Sequence, residues 1–492
     1  MPDTVRTTAR ENPGPPAAGG PGGRTRVQLF EVSTLYGAAT LAAALDAGLF
    51  GPRSGVLRVL LVSNNAEIPE TASRLDGMRG WHRLAARFDR VVDWNDTIRP
   101  HHPSTWNPAG GDAPLWERML RASWELGDGP IDLVVESVHV SPARALATVF
   151  ADASVHVYAD GLMSYGPTRE KLPQTTACRI QRLLHLDLVP GLKPLLLTEY
   201  GVPAELVPND VFRAVLDELD DASPADGDGD GLTGPDGEGA PTAVLLGQYL
   251  AALGILTVDE EEALHERMLR GAAAAGHRCV LFKPHPTAPA RYSKVLDKAA
   301  ADTGVRLVVL DRPMLAETVF RRCRPQLVVG CFSTAMLTAS ALYGVPIARV
   351  GTEPLLDRLT PYQNSNRIPL TIVDALVPAL EAPEGGGADA EEPRGAVVTD
   401  SPEAVRRIEP LVRTVGYCMQ ADRYPGLRAE AEAWLNASFG EDTARYFKRR
   451  RLTALGLPGG LTPGLVRRLP GSDTALRAAR RVKRAAARGR GR

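Results

Sequence analysis

Short apolar runs that break into polar turns and then into helix-forming segments recur along this chain, and this pattern limits its possible folds more than any other feature. Val280–Phe282 opens into Lys283-Pro284-His285-Pro286. Leu327–Val329 opens into Gly330-Cys331-Phe332-Ser333-Thr334 and then the helix-forming AMLTASAL. Runs this short, bounded by turns, read as buried parallel strands. The same pattern appears earlier at Arg26–Val32, Leu57–Ser63, Arg90–Trp94, Ile131–Glu136 and Val155–Tyr158, and later at Thr242–Leu246, Cys279–Phe282, Val305–Leu310 and Ile347–Val350. Alternation of strand and helix gives parallel sheets covered on both faces. A chain of 492 residues is too long for one core. The expected fold is therefore α/β, with two doubly wound, Rossmann-like parallel-sheet domains facing a cleft.

Composition shifts divide the chain further. Residues 1–24 are rich in Pro and Gly, lack the apolar stretch of a secretory signal and read as a disordered arm. Residues 25–216 form the expected first domain and 242–380 the second. Between them, 217–241 reads as a flexible acidic linker. Residues 381–400 read as a Gly/Glu-rich loop, 401–451 as C-terminal amphipathic helices and 452–492 as a basic tail. A calcium loop starting at Asp226 is not expected, because its twelfth position is Gly237 rather than a bidentate Glu. No metal site is expected elsewhere, and His101-His102 lack a third ligand nearby.

The formal net charge of −1 excludes a global pull toward nucleic acid, yet ten Lys/Arg lie from Arg467 onward. Such a tail is attracted to an anionic membrane surface, while the lack of interleaved aromatics argues against specific nucleic-acid contact. Five scattered cysteines without a CxxC, and no apolar run of 18 residues, suit a reducing compartment and no spanning helix. A cytoplasmic protein, peripheral on the inner membrane face, is the expectation.

Three strand-end motifs stand in order: Tyr158-Ala159-Asp160-Gly161, Lys283-Pro284-His285-Pro286 and Phe332-Ser333-Thr334. There is no G-x-G-x-x-G after an early strand, no Walker A loop and no G-x-S-x-G elbow. From Val27 to Leu380 the set resembles the bacterial sialyltransferases, particularly the polysialyltransferase-like family, with its D/E-D/E-G, HP and Ser/Thr motifs. The resemblance implies a GT-B fold with C-terminal helices, CMP-sialic acid as donor and a glycan as acceptor. One position departs from the motif: Ala159 stands where the family has its first acid.

Glycosyl transfer to a hydroxyl asks for a carboxylate to take the proton and for an acid or cation where charge develops on the leaving phosphate. Asp160 suits the first task and His285 the second. Gly247, Gln248, Pro286, Ser333 and Thr334 are the expected nucleotide- and phosphate-binding residues, the last two through free amides opening a helix. Ser33, Asn95, His102, Trp106 and Tyr165 are expected to bind the acceptor. Lys283 reads as a solvated charge. A donor with one phosphate needs neither a diphosphate-bridging metal nor any other cofactor. Two alternatives remain at this level. One is a non-catalytic nucleotide-sugar-binding or assembly protein, prompted by Ala159, and the other is a GT-B transferase using another nucleotide sugar.

Overall fold

The computed structural model describes residues 25–221, 240–285, 293–310, 314–380 and 402–461. The N-terminal arm, most of the acidic linker, Pro286, the 381–400 loop and the basic tail beyond residue 461 lie outside the described residues. Two all-parallel sheets form the body. The first contains β1 (Arg26–Val32), β2 (Val56–Val62), β3 (Arg90–Asp93), β4 (Ile131–Val135), β5 (Ser154–Ala159), β6 (Ile180–Leu186) and β7 (Ala204–Val207), in the order β3-β2-β1-β4-β5-β6-β7. The second contains β8 (Ala243–Leu246), β9 (Cys279–Lys283), β10 (Arg306–Val309), β11 (Leu327–Gly330) and β12 (Ile347–Arg349), in the order β10-β9-β8-β11-β12. Most of these strands are the apolar runs of the sequence, shifted by a residue or two. β6 and β7 were not anticipated, because β7 is four residues long and largely solvent-facing and β6 interleaves Gln181 and Arg182 with its apolar residues.

Strand order reverses once in each sheet, between β1 and β4 and between β8 and β11, while every strand stays parallel. In open α/β sheets the crevice beyond the strand carboxyl ends at such a point is where ligands bind. The segment after β1 shows how tightly this edge is built. Thr34 caps the helix Leu35–Asp46 by accepting from the Gly37 N–H at 2.9 Å. A Cβ on Gly37 would lie 3.1 Å from the Tyr158 hydroxyl, so glycine lets the helix sit against β5. The buried face of that helix is mainly alanine, which allows close approach to the sheet.

The two halves are joined by packing. One hydrophobic cluster runs from Phe30 and Leu184 in the first sheet to Leu245 and Val329 in the second. The helix Asn209–Asp221 reaches five residues into the stretch read as linker. Those residues are not solvated tether: Glu218 pairs with Arg87 on the first half, and Asp220 pairs with Arg321 and Arg322 on the second. Leu219 meanwhile sits so close to Gly80 that a Cβ there would lie 2.7 Å from its methyl carbon. The amphipathic pattern that carries Val211, Val215 and Leu219 inward continues through the acids, which is why helix outlasts the composition shift. Helices Pro402–Met419 and Arg428–Ser438 follow as expected. Between them, the Tyr424 hydroxyl donates to Glu199 at 2.7 Å and accepts from the Thr168 N–H at 2.9 Å, returning the chain's end to the first half. No helix among the described residues is long and apolar enough to cross a membrane.

Candidate active site

Each reversal point is spanned by a side-chain hydrogen bond. In the first sheet Ser33, just past β1, donates to Glu136, just past β4, at 3.1 Å. Glu31, one residue before the end of β1, accepts from Ser63 at 3.2 Å and from the Glu136 N–H at 3.5 Å. In the second sheet Gln248, past β8, accepts from the Phe332 N–H, past β11, at 3.3 Å. Gly247 permits this turn: its N–H donates to the Lys283 carbonyl at 2.9 Å, and a Cβ would strike Phe282 at 2.9 Å and the Pro284 backbone at 3.1 Å. Gly247 and Gln248 thus tie the turn after β8 to those after β9 and β11.

The two edges meet at Gly161, where a Cβ would lie 3.3 Å from Thr334 Oγ1. Asp160, following β5, is thereby brought next to the helix Thr334–Tyr343, which Ser333 caps by accepting from the Ala335 N–H at 3.3 Å. Burial, the neighbouring Glu136 and, more weakly, Glu317 push the Asp160 carboxyl up to about 7. Part of its surface stays accessible. Glu31 rises to about 8 through burial and the charge of Glu136. Glu136 is raised for the same desolvation reason.

On the opposite edge the shifts run the other way. Burial and the neighbouring Lys283 lower the His285 imidazole to about 4. The ring of Tyr249 lies over it, with centroids 4.0 Å apart. Lys283 is itself lowered by burial, offset in part by Glu317, so it is not the solvated charge its sequence suggests. Glu317, buried in the helix Ala316–Cys323, accepts from Thr338 Oγ1 at 2.7 Å and feels both Asp160 and Lys283. It links the acidic edge to the basic one.

A cavity of about 1020 Å³ opens beyond the carboxyl ends of β1–β3. Of the residues expected to bind the acceptor, Ser33, Asn95 and His102 line it. Asp160, His285 and Ser333 do not. Ser33 in its lining bonds Glu136, and Tyr36 also lines it, with a hydroxyl raised by burial and then by the charges of Glu317 and Asp160. The polar groups of Asn95 and His102 already serve the wall. Asn95 bonds both the N–H and the carbonyl of Asn64, and His102 bonds Ser104 and the Ala66 carbonyl. Two expected acceptor residues fall elsewhere. Tyr165 is fully buried, its hydroxyl accepting from the Val189 N–H. Trp106 packs between Trp94 and Trp116. Both are aromatic for the sake of the core, and neither reaches the cavity.

Sequence reasoning missed Glu136, Glu317 and Tyr36. Glu136 carries a readable signal, an acid directly after a buried strand. Glu317 carries none, since only tertiary packing turns that face of its helix inward.

Two facing parallel-sheet halves with C-terminal helices, opposed across a cleft at their strand carboxyl ends, define a GT-B glycosyltransferase. The alpha-2,8-polysialyltransferase family profile matches residues 28–352. The chain belongs to that family and is a glycosyltransferase. No curated protein matches it. Among solved structures, a sialyltransferase from Photobacterium damsela is 11% identical, with 70% of this chain and 77% of that one covered and a TM-score of 0.38. A UDP-glucosyltransferase from Polygonum tinctorium is 11% identical, with 88% and 98% covered and a TM-score of 0.39. A glycosyltransferase from Rickettsia africae is 10% identical, with 83% and 98% covered and a TM-score of 0.36.

Proposed function

We propose that the protein is an inverting sialyltransferase that moves sialic acid from CMP-sialic acid to a hydroxyl of a glycan-bearing acceptor. The observation that carries this reading is the contact of Gly161 with Thr334, which sets Asp160 against a helix N-terminus flanked by Phe332, Ser333 and the His285 turn. Asp160 takes the acceptor hydroxyl proton. The acceptor oxygen bonds the anomeric carbon from one face as the bond to the phosphate oxygen breaks on the other, inverting the centre. The electron pair leaves with CMP. Ser333, Thr334 and the helix amides hold the phosphate oxygens, where the positive end of the helix dipole favours charge. His285 enters the cycle neutral, donating a ring N–H. Donor phosphate beside it raises its proton affinity, so it stabilises or protonates the departing oxygen. A carboxyl near 7 is a stronger base than an ordinary one and is still half ionised at working pH.

Incubation of the protein with CMP-sialic acid is expected to release CMP, slowly to water and faster with acceptor. Turnover of a different nucleotide sugar with none of the CMP donor overturns the donor assignment. CMP binding by calorimetry without release under any acceptor overturns catalysis.

A further inference from the structure

The cavity beyond β1–β3 carries chemical information that the transfer reaction does not. At about 1020 Å³ it has room for a whole drug-sized molecule. Leu75, Met78 and Trp81 line one side, and Met314 and Leu315 from the second half line the other. Ile68 and Val91 also line it and are 58% and 47% exposed, so apolar surface faces the opening. Exposed apolar surface at the mouth of a cavity marks a binding site for apolar ligand.

Its charges point the same way. Six lining residues are carboxylates (Glu67, Glu70, Asp76, Asp93, Asp96 and Asp220) against three arginines, Arg74, Arg79 and Arg99. Arg74 is engaged by Asp76 at 3.1 Å and Asp93 at 3.0 Å, and Arg99 by Asp96 at 3.0 Å. Asp220 is held from behind by Arg321 and Arg322. Glu67 and Glu70 are exposed and enter no ion pair among the described residues. A ligand carrying several carboxylates meets like charge here and two arginines already engaged, an arrangement that rejects it.

We propose that this cavity takes an uncharged or cationic acceptor with an apolar body, an aryl or alkyl aglycone bearing the reacting hydroxyl, and rejects polyanionic glycan chains. The assignment as acceptor site rests on the transfer reaction proposed above, while the ligand class rests on the cavity walls alone. The aglycone lies between Trp81 and Met314, and its hydroxyl passes Tyr36 toward Asp160.

The test is a fluorescence titration of the full chain with the neutral probe N-phenyl-1-naphthylamine, which needs no donor. Saturable one-site binding is expected, displaced by octyl or para-nitrophenyl galactoside and not by lactose or an α-2,8-linked sialic acid tetramer. Ile68→Asp combined with Val91→Asp places charge on exposed positions, leaves the melting curve intact and weakens the probe by about tenfold, the equivalent of one lost apolar contact. Glu67→Lys with Glu70→Lys raises affinity for the tetramer. Absence of saturable probe binding, indifference to Ile68→Asp/Val91→Asp, or displacement of the probe by the tetramer overturns the proposal. Intact probe binding without CMP release leaves this inference standing and removes the donor reading. CMP release with no probe binding does the reverse.

Discussion

The two reversal points of this molecule share a design and differ in what they present. Each is closed by one hydrogen bond across the gap, Ser33 to Glu136 in the first sheet and Phe332 to Gln248 in the second. The first edge gathers Glu31, Glu136 and Asp160 at neighbouring strand ends. The second gathers Lys283, His285 and a capped helix start. Burial acts on both by penalising charge. It therefore raises the carboxyls and lowers the imidazole and ammonium, and both edges move toward neutrality. In the reaction proposed above, this contrast would set a proton acceptor on one wall and donors for the leaving phosphate on the other.

Removing the base should break the contrast most completely. Asp160→Asn is expected to lower CMP release to acceptor by about 100-fold or more, the range for a general base, with CMP binding by calorimetry unchanged. Its stability signature follows from the raised carboxyl. Holding Asp160 charged in the fold costs stability once pH exceeds the unfolded value of 3.8, and this cost is complete above about 7. The asparagine variant should therefore melt higher than wild type at pH 8, with the gain fading toward pH 4. Equal melting points at both pH values would show that Asp160 is not desolvated.

His285→Ala tests the opposite wall, with a fall of about 100-fold in release expected and weaker CMP binding besides. A loss of turnover with no change in CMP affinity would separate proton donation from phosphate holding. The brace is next. Gly247→Ala forces a methyl against Phe282 and Pro284 and should cost about 1–3 kcal/mol by denaturant titration, as overpacking does. An unaffected midpoint would mean that the turn yields freely.

Glu136→Gln sharpens the comparison without removing either wall. The Ser33 bond survives, because the amide carbonyl still accepts, but the negative charge beside Asp160 is gone. Four groups bear on Asp160: Glu136 from β4, Tyr158 from its own strand, Tyr36 from the helix after β1 and Glu317 from the second half. Among these Glu136 has the largest charge effect on it. The acidic limb of the rate profile, set near pH 7 in wild type, should move to lower pH while the alkaline plateau holds. A limb that stays in place would reduce Glu136 to a structural brace. The smallest effect on turnover is expected from deleting residues 464–492. That change should abolish sedimentation with anionic vesicles at low salt and leave the rate on a soluble acceptor unchanged.

The strands of the second sheet and five of the seven in the first were legible because burial of the central strands keeps them largely apolar, as in β4 and β11, while the half-exposed edge strands β3 and β10 still keep short apolar runs. Asp160, His285 and Ser333-Thr334 were legible because they end such runs. Glu136 was present in the same form and passed over. Tyr165 and Trp106 differ from these: the structure buries Tyr165 and packs the half-buried Trp106 against Trp94, and neither lines the cavity.

Local pattern, then, decided which residues stand at strand ends, because burial of a parallel strand is written residue by residue along the chain. What stands opposite what was decided by the tertiary structure alone. Gly161 meets Thr334, Glu317 faces both Asp160 and Lys283, and an acidic, apolar cavity forms between Trp81 and Met314. These pairs lie far apart in sequence, and the charge each group feels depends on neighbours that only packing brings within reach.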